Sequence, residues 1–268
     1  MCKHRRKKET REKGDIVLET INDKYELIEL EKEHKFYGTE VKYQIKALKS
    51  FSNIKKGDLG GYVEHEHNLS QEDDAWLYGN AWVYDNAWVY GDVRVYGDSR
   101  IYGDAWVFDD AKVSGNAKVY DNAWVYGDAK VSGNAKAYDN ARIYDNAWVY
   151  DNAWVYDNAW VYGDANVYGS SRISSDAKVF SDAWVYGDAW VSGEMKTGGD
   201  IKWFSKVGSQ DETLTITNHE DTGIMVSRGC FVGTLKEFKK EVKKKPKDCK
   251  YRKEYLAIVK MVKEFYKG

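Results

Sequence analysis

From Ala75 to Glu194 the chain is one six-residue phrase repeated twenty times without an insertion. Its plainest form is the stretch DNAWVYDNAWVYDNAWVY, Asp145 to Tyr162, which is three identical copies in a row. With Ala75 as position one, that position is Ala in seventeen hexads, and Val93, Ser99 and Ser171 are the exceptions. Position three is Val, Ile or Leu in nineteen, with Ala137 the one departure. Position six is Asp or Asn in eighteen, Ser170 and Glu194 differing. Positions two and four carry Trp, Lys or Arg and Tyr, Phe or Ser. A short fixed period means stacked repeats, and it has to be settled before any other feature.

Alternation supplies the geometry. In extended chain successive side chains point to opposite faces, so positions one and three share one face and positions two and four the other. Small Ala and branched Val turn inward, while Trp and Tyr are too large for a narrow interior and stand outside. Positions five and six, pairs such as Gly-Asp and Asp-Asn, are turn chemistry. Four extended residues followed by a two-residue corner fit neither a helix of period 3.6 nor a hairpin meander. The expected fold is mainly β: a single-stranded parallel β-helix, triangular, with about 18 residues per coil. The strict hexad and small-residue corner favour the left-handed form. Twenty hexads make a prism roughly 32 Å long at the usual strand spacing.

The same period sorts the outer residues onto three faces. One stacks Trp88, Trp106, Trp124, Arg142, Trp160 and Lys178 beside Tyr90, Phe108, Tyr126, Tyr144, Tyr162 and Phe180. A second stacks Trp82, Arg100, Lys118, Lys136, Trp154, Arg172 and Trp190 beside Tyr84, Tyr102, Tyr120, Tyr138 and Tyr156. The third stacks Trp76, Arg94, Lys112, Lys130, Trp148, Asn166 and Trp184, and Ser114 and Ser132 interrupt its Tyr row. The candidate binding surface is the aromatic first face, with Trp88, Trp106, Trp124, Trp160, Tyr90, Tyr126 and Tyr144, together with the cations Arg94, Lys112 and Lys130. The competing reading is that these are ladders of stacked rings holding neighbouring coils together.

Four segments follow: a charged arm over 1–23, a β-rich cap over 24–74, the coils over 75–194 and an α+β unit over 195–268. The net charge of −2 conceals a division among them. Residues 1–74 carry 15 basic and 16 acidic groups, residues 75–194 carry 9 and 17, and residues 195–268 carry 17 and 10. The basic tail reads as a helix with a solvated outer face. Only one proline, Pro246, and 15% aromatic residues argue for an ordered body. No run of some 18 apolar residues is present, so no membrane span is expected. The basic start has no apolar segment after it, so it is not expected to act as a signal peptide. Cys2, Cys230 and Cys249 make no metal or redox spacing, as expected for free thiols of a cytoplasmic protein.

A β-helix has two open ends that would polymerise unless covered. Upstream, the alternation around Tyr43-Gln-Ile-Lys-Ala-Leu, a turn at Lys56-Gly-Asp and the close-approach pair Gly60-Gly61 suit a cap. Downstream, TLTIT (Thr213–Thr217) and IMVSRGCF (Ile224–Phe231) read as strands joined by a hairpin loop. Thr234 to Glu237 is a capping box opening a helix through about Lys244. Asp248 is placed to cap a last helix, on which Tyr251, Tyr255, Ile258, Val259, Val262 and Phe265 share one face.

Read from valine, the phrase Val-Tyr-Gly-Asp-Ala-Trp resembles the hexapeptide repeat of the left-handed β-helix acyltransferases, departing from it by Tyr in the second place. The stretches YQIKALKSF…KKGDLGGYVEHEHNLSQEDDAWLYGNAWVY and FSKVGSQDETLTI…VSRGCFVGTLKEF, flanking the long repeat, resemble a bacterial and prophage hexapeptide-repeat family. Its members are commonly labelled acyltransferases or polymer-forming proteins. That resemblance implies the β-helix and a prophage or mobile-element setting, and it brings no catalytic residue with its motifs.

An acyltransferase of this class would use histidine as general base, since its pKa lies near working pH. All five histidines fall outside 75–194. An enzyme would therefore draw on His65, His67 or His219 at a subunit boundary, with acyl-coenzyme A as substrate. His65 and His67 alternate with acids and could also bind a metal, or belong to a solvated loop. GDLGG lacks the lysine and spacing of a P-loop. The expected function is a non-enzymatic scaffold or binding protein without a cofactor, partnered by itself or another protein. Carbohydrate or single-stranded nucleic acid stacking on the Trp ladder is the further alternative.

Overall fold

The computed structural model describes residues 23–36, 39–199, 201–247 and 249–266. Residues 1–22 of the expected arm, and Asp248, lie outside them.

The coils wind as the alternation requires. Twenty-one two-residue strands run from β4 (Trp76–Leu77) to β24 (Lys196–Thr197), each covering positions two and three of a hexad. Each strand pairs in parallel with a strand 18 residues away, Lys112 with Lys130 and Trp124 with Arg142. Three flat sheets result, the faces of a triangular β-solenoid. Backbone N–H groups of positions two and four donate to carbonyls of the next coil, as Trp124 to Ala141 at 2.9 Å and Tyr126 to Ile143 at 3.0 Å. Positions one and three are sealed inside: Ala123, Val125, Ala147 and Val149 have no solvent exposure.

The corners explain position five. From Gly79 to Gly193 every residue there has positive φ, whether Gly, Asp or Ser. Asp accepts this conformation at modest cost because its short carboxylate bonds locally. Here it does more: the Asp109 carboxylate accepts from the Gly127 N–H at 3.2 Å and Asp145 from Gly163 at 3.3 Å, one coil away. Position six adds an amide ladder, Asn116 donating to Asn134 and Asn134 to Asn152, both at 3.1 Å.

The winding continues past both ends of the repeated phrase. Leu69, six residues before Ala75, bridges to Val89, and Asp73 has the corner's φ of 55°. At the far end Met195 and Thr197 are buried in positions one and three.

Upstream, β1 (Tyr25–Phe36) and β2 (Thr39–Ala47) form an antiparallel hairpin, and β3 (Leu59–Val63) joins β2 to the second face by pairing with β5 (Trp82–Val83). Gly60 and Gly61 do make the expected close approach: a Cβ on Gly61 would stand 2.4 Å from the Ala81 carbonyl oxygen. Lys24 plugs this end. It is 1% exposed, and its ammonium donates to the carbonyls of Glu72, Asp73 and Ala75 at 3.1, 3.2 and 2.9 Å. The buried Tyr25 hydroxyl donates to the Leu69 carbonyl at 2.6 Å. The carbonyls at the entry to the first coil are thus satisfied by side chains, while those of Ala81, Val83 and Val89 accept from the backbone of Tyr62, Glu64 and Ser70.

Downstream, an antiparallel sheet of β25 (Lys202–Val207), β26 (Glu212–His219), β27 (Gly223–Arg228) and β28 (Phe231–Thr234) covers the last coil. Thr215 accepts from the Trp190 N–H at 2.8 Å, and Ser192 meets Ser227 at 3.1 Å. The stretch IMVSRGCF is two strands and not one, because Gly229 turns at φ 55°. The sheet's other side packs on α1 (Leu235–Lys244) and α2 (Lys250–Phe265) around Leu214, Ile216, Phe238 and Val259. The Thr234 capping box forms, with Glu237 N–H donating to Thr234 Oγ1 at 3.2 Å. The apolar stripe of α2 is core only in its middle: Tyr255, Ile258, Val259 and Val262 are buried, whereas Tyr251 and Phe265 are 37% and 54% exposed. No helix among the described residues is long and apolar enough to cross a membrane.

Candidate functional site

The outer side chains form continuous columns. On the first face Tyr90, Phe108, Tyr126, Tyr144 and Tyr162 stack at 4.8 to 5.1 Å between centroids, with planes within 3°. Beside them Trp88, Trp106 and Trp124 stack at 5.9 and 5.8 Å. The Arg142 guanidinium lies 5.3 Å from the Trp124 ring and 5.1 Å from Trp160, and the Lys178 ammonium lies 4.5 Å from Trp160. The cation–π contacts continue the column where the tryptophans stop. All seven aromatic candidates thus share one face, while Arg94, Lys112 and Lys130 stand in one register on another. The structure does not bring the two sets together.

Stacking has an electrostatic consequence. Burial between neighbouring rings disfavours the phenolate, reinforced by adjacent tyrosines and corner aspartates, and pushes Tyr138 and Tyr144 up to about 12. Tyr120 is raised for the same reasons. Asp121 is raised by burial and by Asp139 one coil away.

The three candidate histidines stand at the two ends of the first face. His65 and His67 stack on each other at 5.1 Å, and His67 tilts over Trp88 at 6.0 Å. His219 lies edge-on to Phe180 at 5.2 Å, its Nδ1 accepting from the Asp221 N–H. His65 lies 3.5 Å from Glu64. No group of three or more potential metal-ligating side chains occurs among the described residues.

Between position six of one corner and position two of the next face runs a groove. On the second face it is lined by Asn80, Asp98 and Asn116 against Trp82, Arg100 and Lys118. On the first it is lined by Asn140, Asn158 and Asp176 against Arg142, Trp160 and Lys178. The amide ladder that lines one side of the groove follows from the composition of position six, which is Asp or Asn in eighteen hexads.

One further regularity concerns position four. The residue sixteen positions on, in the next coil, leans toward it: Trp106 toward Tyr90, Trp124 toward Phe108 and Trp160 toward Tyr144, each edge-on at 6.2 to 6.3 Å. Where position four is Ser the tryptophan bonds it instead. The Trp148 indole N–H donates to Ser132 at 3.1 Å, and Trp190 to Ser174 at 2.9 Å.

Residues 141–157, about one coil, match a family model described as the YdcK β-solenoid repeat. No curated protein matches the chain. Together with the coils themselves, the match identifies a β-solenoid repeat protein.

Proposed function

We propose that this chain is a non-enzymatic scaffold or binding protein, which presents aromatic and basic ladders on a rigid prism to another macromolecule or to a second copy of itself. One observation carries the reading: the outward side chains of successive coils are fixed in register as long columns, 4.8 to 5.1 Å from rung to rung on the first face. Such columns lose little side-chain freedom on binding, which favours a presenting surface. In this reading the chain shares the stacked hexad plan of the hexapeptide acyltransferases and polymer-forming proteins and not acyl-transfer chemistry. The histidines support it, since His67 and His219 touch opposite ends of the column, at Trp88 and Phe180. A general base has to share a pocket with the thioester it serves.

The test is thiol release from acetyl-coenzyme A by the purified full chain, alongside light scattering for its assembly state. The expected result is no multiple-turnover release and a defined particle. Turnover that disappears in His65→Ala, His67→Ala or His219→Ala would overturn the proposal.

A further inference from the structure

The octad AKVSGNAK occurs twice, at Ala111–Lys118 and Ala129–Lys136, one coil apart. In two successive coils it replaces the aromatics of both outer rows of one strand, by Lys at position two and Ser at position four, as Arg172 and Ser174 do once more downstream. Arg94, Lys112 and Lys130 are stacked in register on the third face, and Arg100, Lys118 and Lys136 on the second. Like charges directly opposite on paired strands are unfavourable. Elsewhere cations are separated or compensated: Arg142 lies between two tryptophans, and Lys196, directly opposite Lys178, is paired with Asp221 at 2.8 Å. In the octads only Lys130 and Lys136 have aromatic neighbours, Trp148 at 5.6 Å and Trp154 at 4.1 Å. The corner joining the two lysine rows is Gly115-Asn116 above Gly133-Asn134, with no acid, while Asp110 and Asp128 lie on the far side of Lys112 and Lys130.

The Tyr row of the third face breaks at the same place. Tyr96 stacks on Tyr78 at 4.4 Å on one side, but the next rung is Ser114. The rung below, Ser132, is filled by the Trp148 indole, which lies over Tyr150 at 4.6 Å and bonds the serine. Ser174 is filled by Trp190 in the same way, and Ser192 bonds Ser227 of the covering sheet. For Ser114 the residue sixteen positions on is Lys130, which has no ring to offer. The Ser114 rung therefore carries no ring between Tyr96 and Trp148, with Lys112 beside it on the same strand and Lys118 across the corner.

We propose that this rung receives a base of a single-stranded nucleic acid, whose phosphates lie along Lys112 and Lys130 on one side and Lys118 and Lys136 on the other. The inference rests on the reading of the coil as a presenting scaffold and names its ligand. A planar ring is what the gap in the ladder lacks, and stacking on aromatic side chains beside a cationic track is how unpaired strands are held. Anionic groups also relieve the in-register repulsion of the lysines. Four lysines over two coils exceed what one phosphate engages, which favours a strand over a free mononucleotide.

The test is fluorescence anisotropy of a labelled oligothymidylate with the full chain at several salt concentrations. Competitors are the same sequence as a duplex, thymidine monophosphate and a sulfated polysaccharide. Binding should be displaced by unlabelled single strand well before the others. Ser114→Tyr completes the ladder, keeps all the lysines and should raise the melting temperature while weakening binding about tenfold. Lys112→Gln with Lys118→Gln should flatten the salt dependence by roughly 1.4 in the log–log slope. Undiminished binding by Ser114→Tyr, equal displacement by the polysaccharide, or no binding at low salt would each overturn the proposal. None of those results touches the thiol-release test, so the scaffold reading stands or falls separately.

Discussion

Replacing Lys24 by methionine probes how the open end of the solenoid is closed. The lysine is buried, and its ammonium meets three carbonyls of the entry to the first coil. Burial lowers its pKa from 10.5 to about 8, against the opposing attraction of Asp73 and Asp74. The folded pKa lies below the unfolded one, so between these values the unfolded chain binds the extra proton. Stability from this group therefore increases as pH rises from 8 toward 10.5. At about 1.36 kcal/mol per pKa unit, holding the charge inside costs roughly 3 kcal/mol at neutral pH, most of it relieved by about pH 10. Methionine keeps the bulk, removes the charge and leaves three acceptors without this donor, at roughly 1 kcal/mol each. The variant should be less stable by about 2 kcal/mol at pH 10 and about as stable as wild type at pH 7. Urea unfolding of both proteins at the two pH values, followed by tryptophan fluorescence, measures the difference. Groups common to both chains cancel in it. An equal or smaller loss at pH 10 would refute a buried, charge-strained Lys24.

Val125→Asp puts an unpaired carboxylate where wild type has no solvent exposure and should lower stability by more than about 4 kcal/mol, whereas Trp124→Lys, at a 37% exposed position, should cost about 1 kcal/mol in thermal melts; equal losses would contradict the inside–outside assignment. Ultraviolet titration should show Tyr138 and Tyr144 un-ionised in the folded protein until pH nears 12, because burial holds both up. Their folded pKa exceeds the ordinary 10.0, so the unfolded chain ionises first and stability should fall as pH rises above 10; ionisation near pH 10 without unfolding would count against the stacks.

The coil was legible because alternation is local: Ala and Val at positions one and three point one way wherever the chain is extended. Its true limits were less so. Met195 keeps the register, but Leu69 bridges to Val89, two residues out of the 18-residue step, and by count Gln71 falls at position three of its hexad and Gly198 at position four of its own. Gln71 is there because its side-chain oxygen accepts from the backbone N–H groups of Lys24 and Tyr25 at 3.0 and 3.2 Å. Lys24 itself reads as a surface residue from its sequence neighbours. Only the unpaired carbonyls at the end of a stack give it a reason to be buried. The faces followed directly from the period, and the ten binding candidates fell on the rows it dictates. The filled and unfilled serine rungs did not, because Trp148 or Lys130 decides them from the adjacent coil.

That difference bears on where a ligand would bind. The first face is the most aromatic, yet its rings are turned toward one another: Phe108 has Tyr90 and Tyr126 on its two sides at 5.1 and 4.8 Å. A ring whose faces are both covered offers a partner only its edge, so the first face presents a rigid wall of ring edges and no open place for a further ring to stack. Departures from the phrase carry more information, provided each is tested against a local explanation. Ser99, inside the wall, has one, since its hydroxyl donates to the Tyr96 carbonyl at 2.7 Å. Ser132 and Ser174 have one in the indoles that bond them. Ser114 has none of these, and it coincides with stacked lysines that cost stability. A repeat able to place Tyr and Trp at those positions, as it does in coils on either side, has forgone cohesion at one rung and two rows. Gains of cohesion in Ser114→Tyr at the expense of strand binding would show what that cohesion was exchanged for.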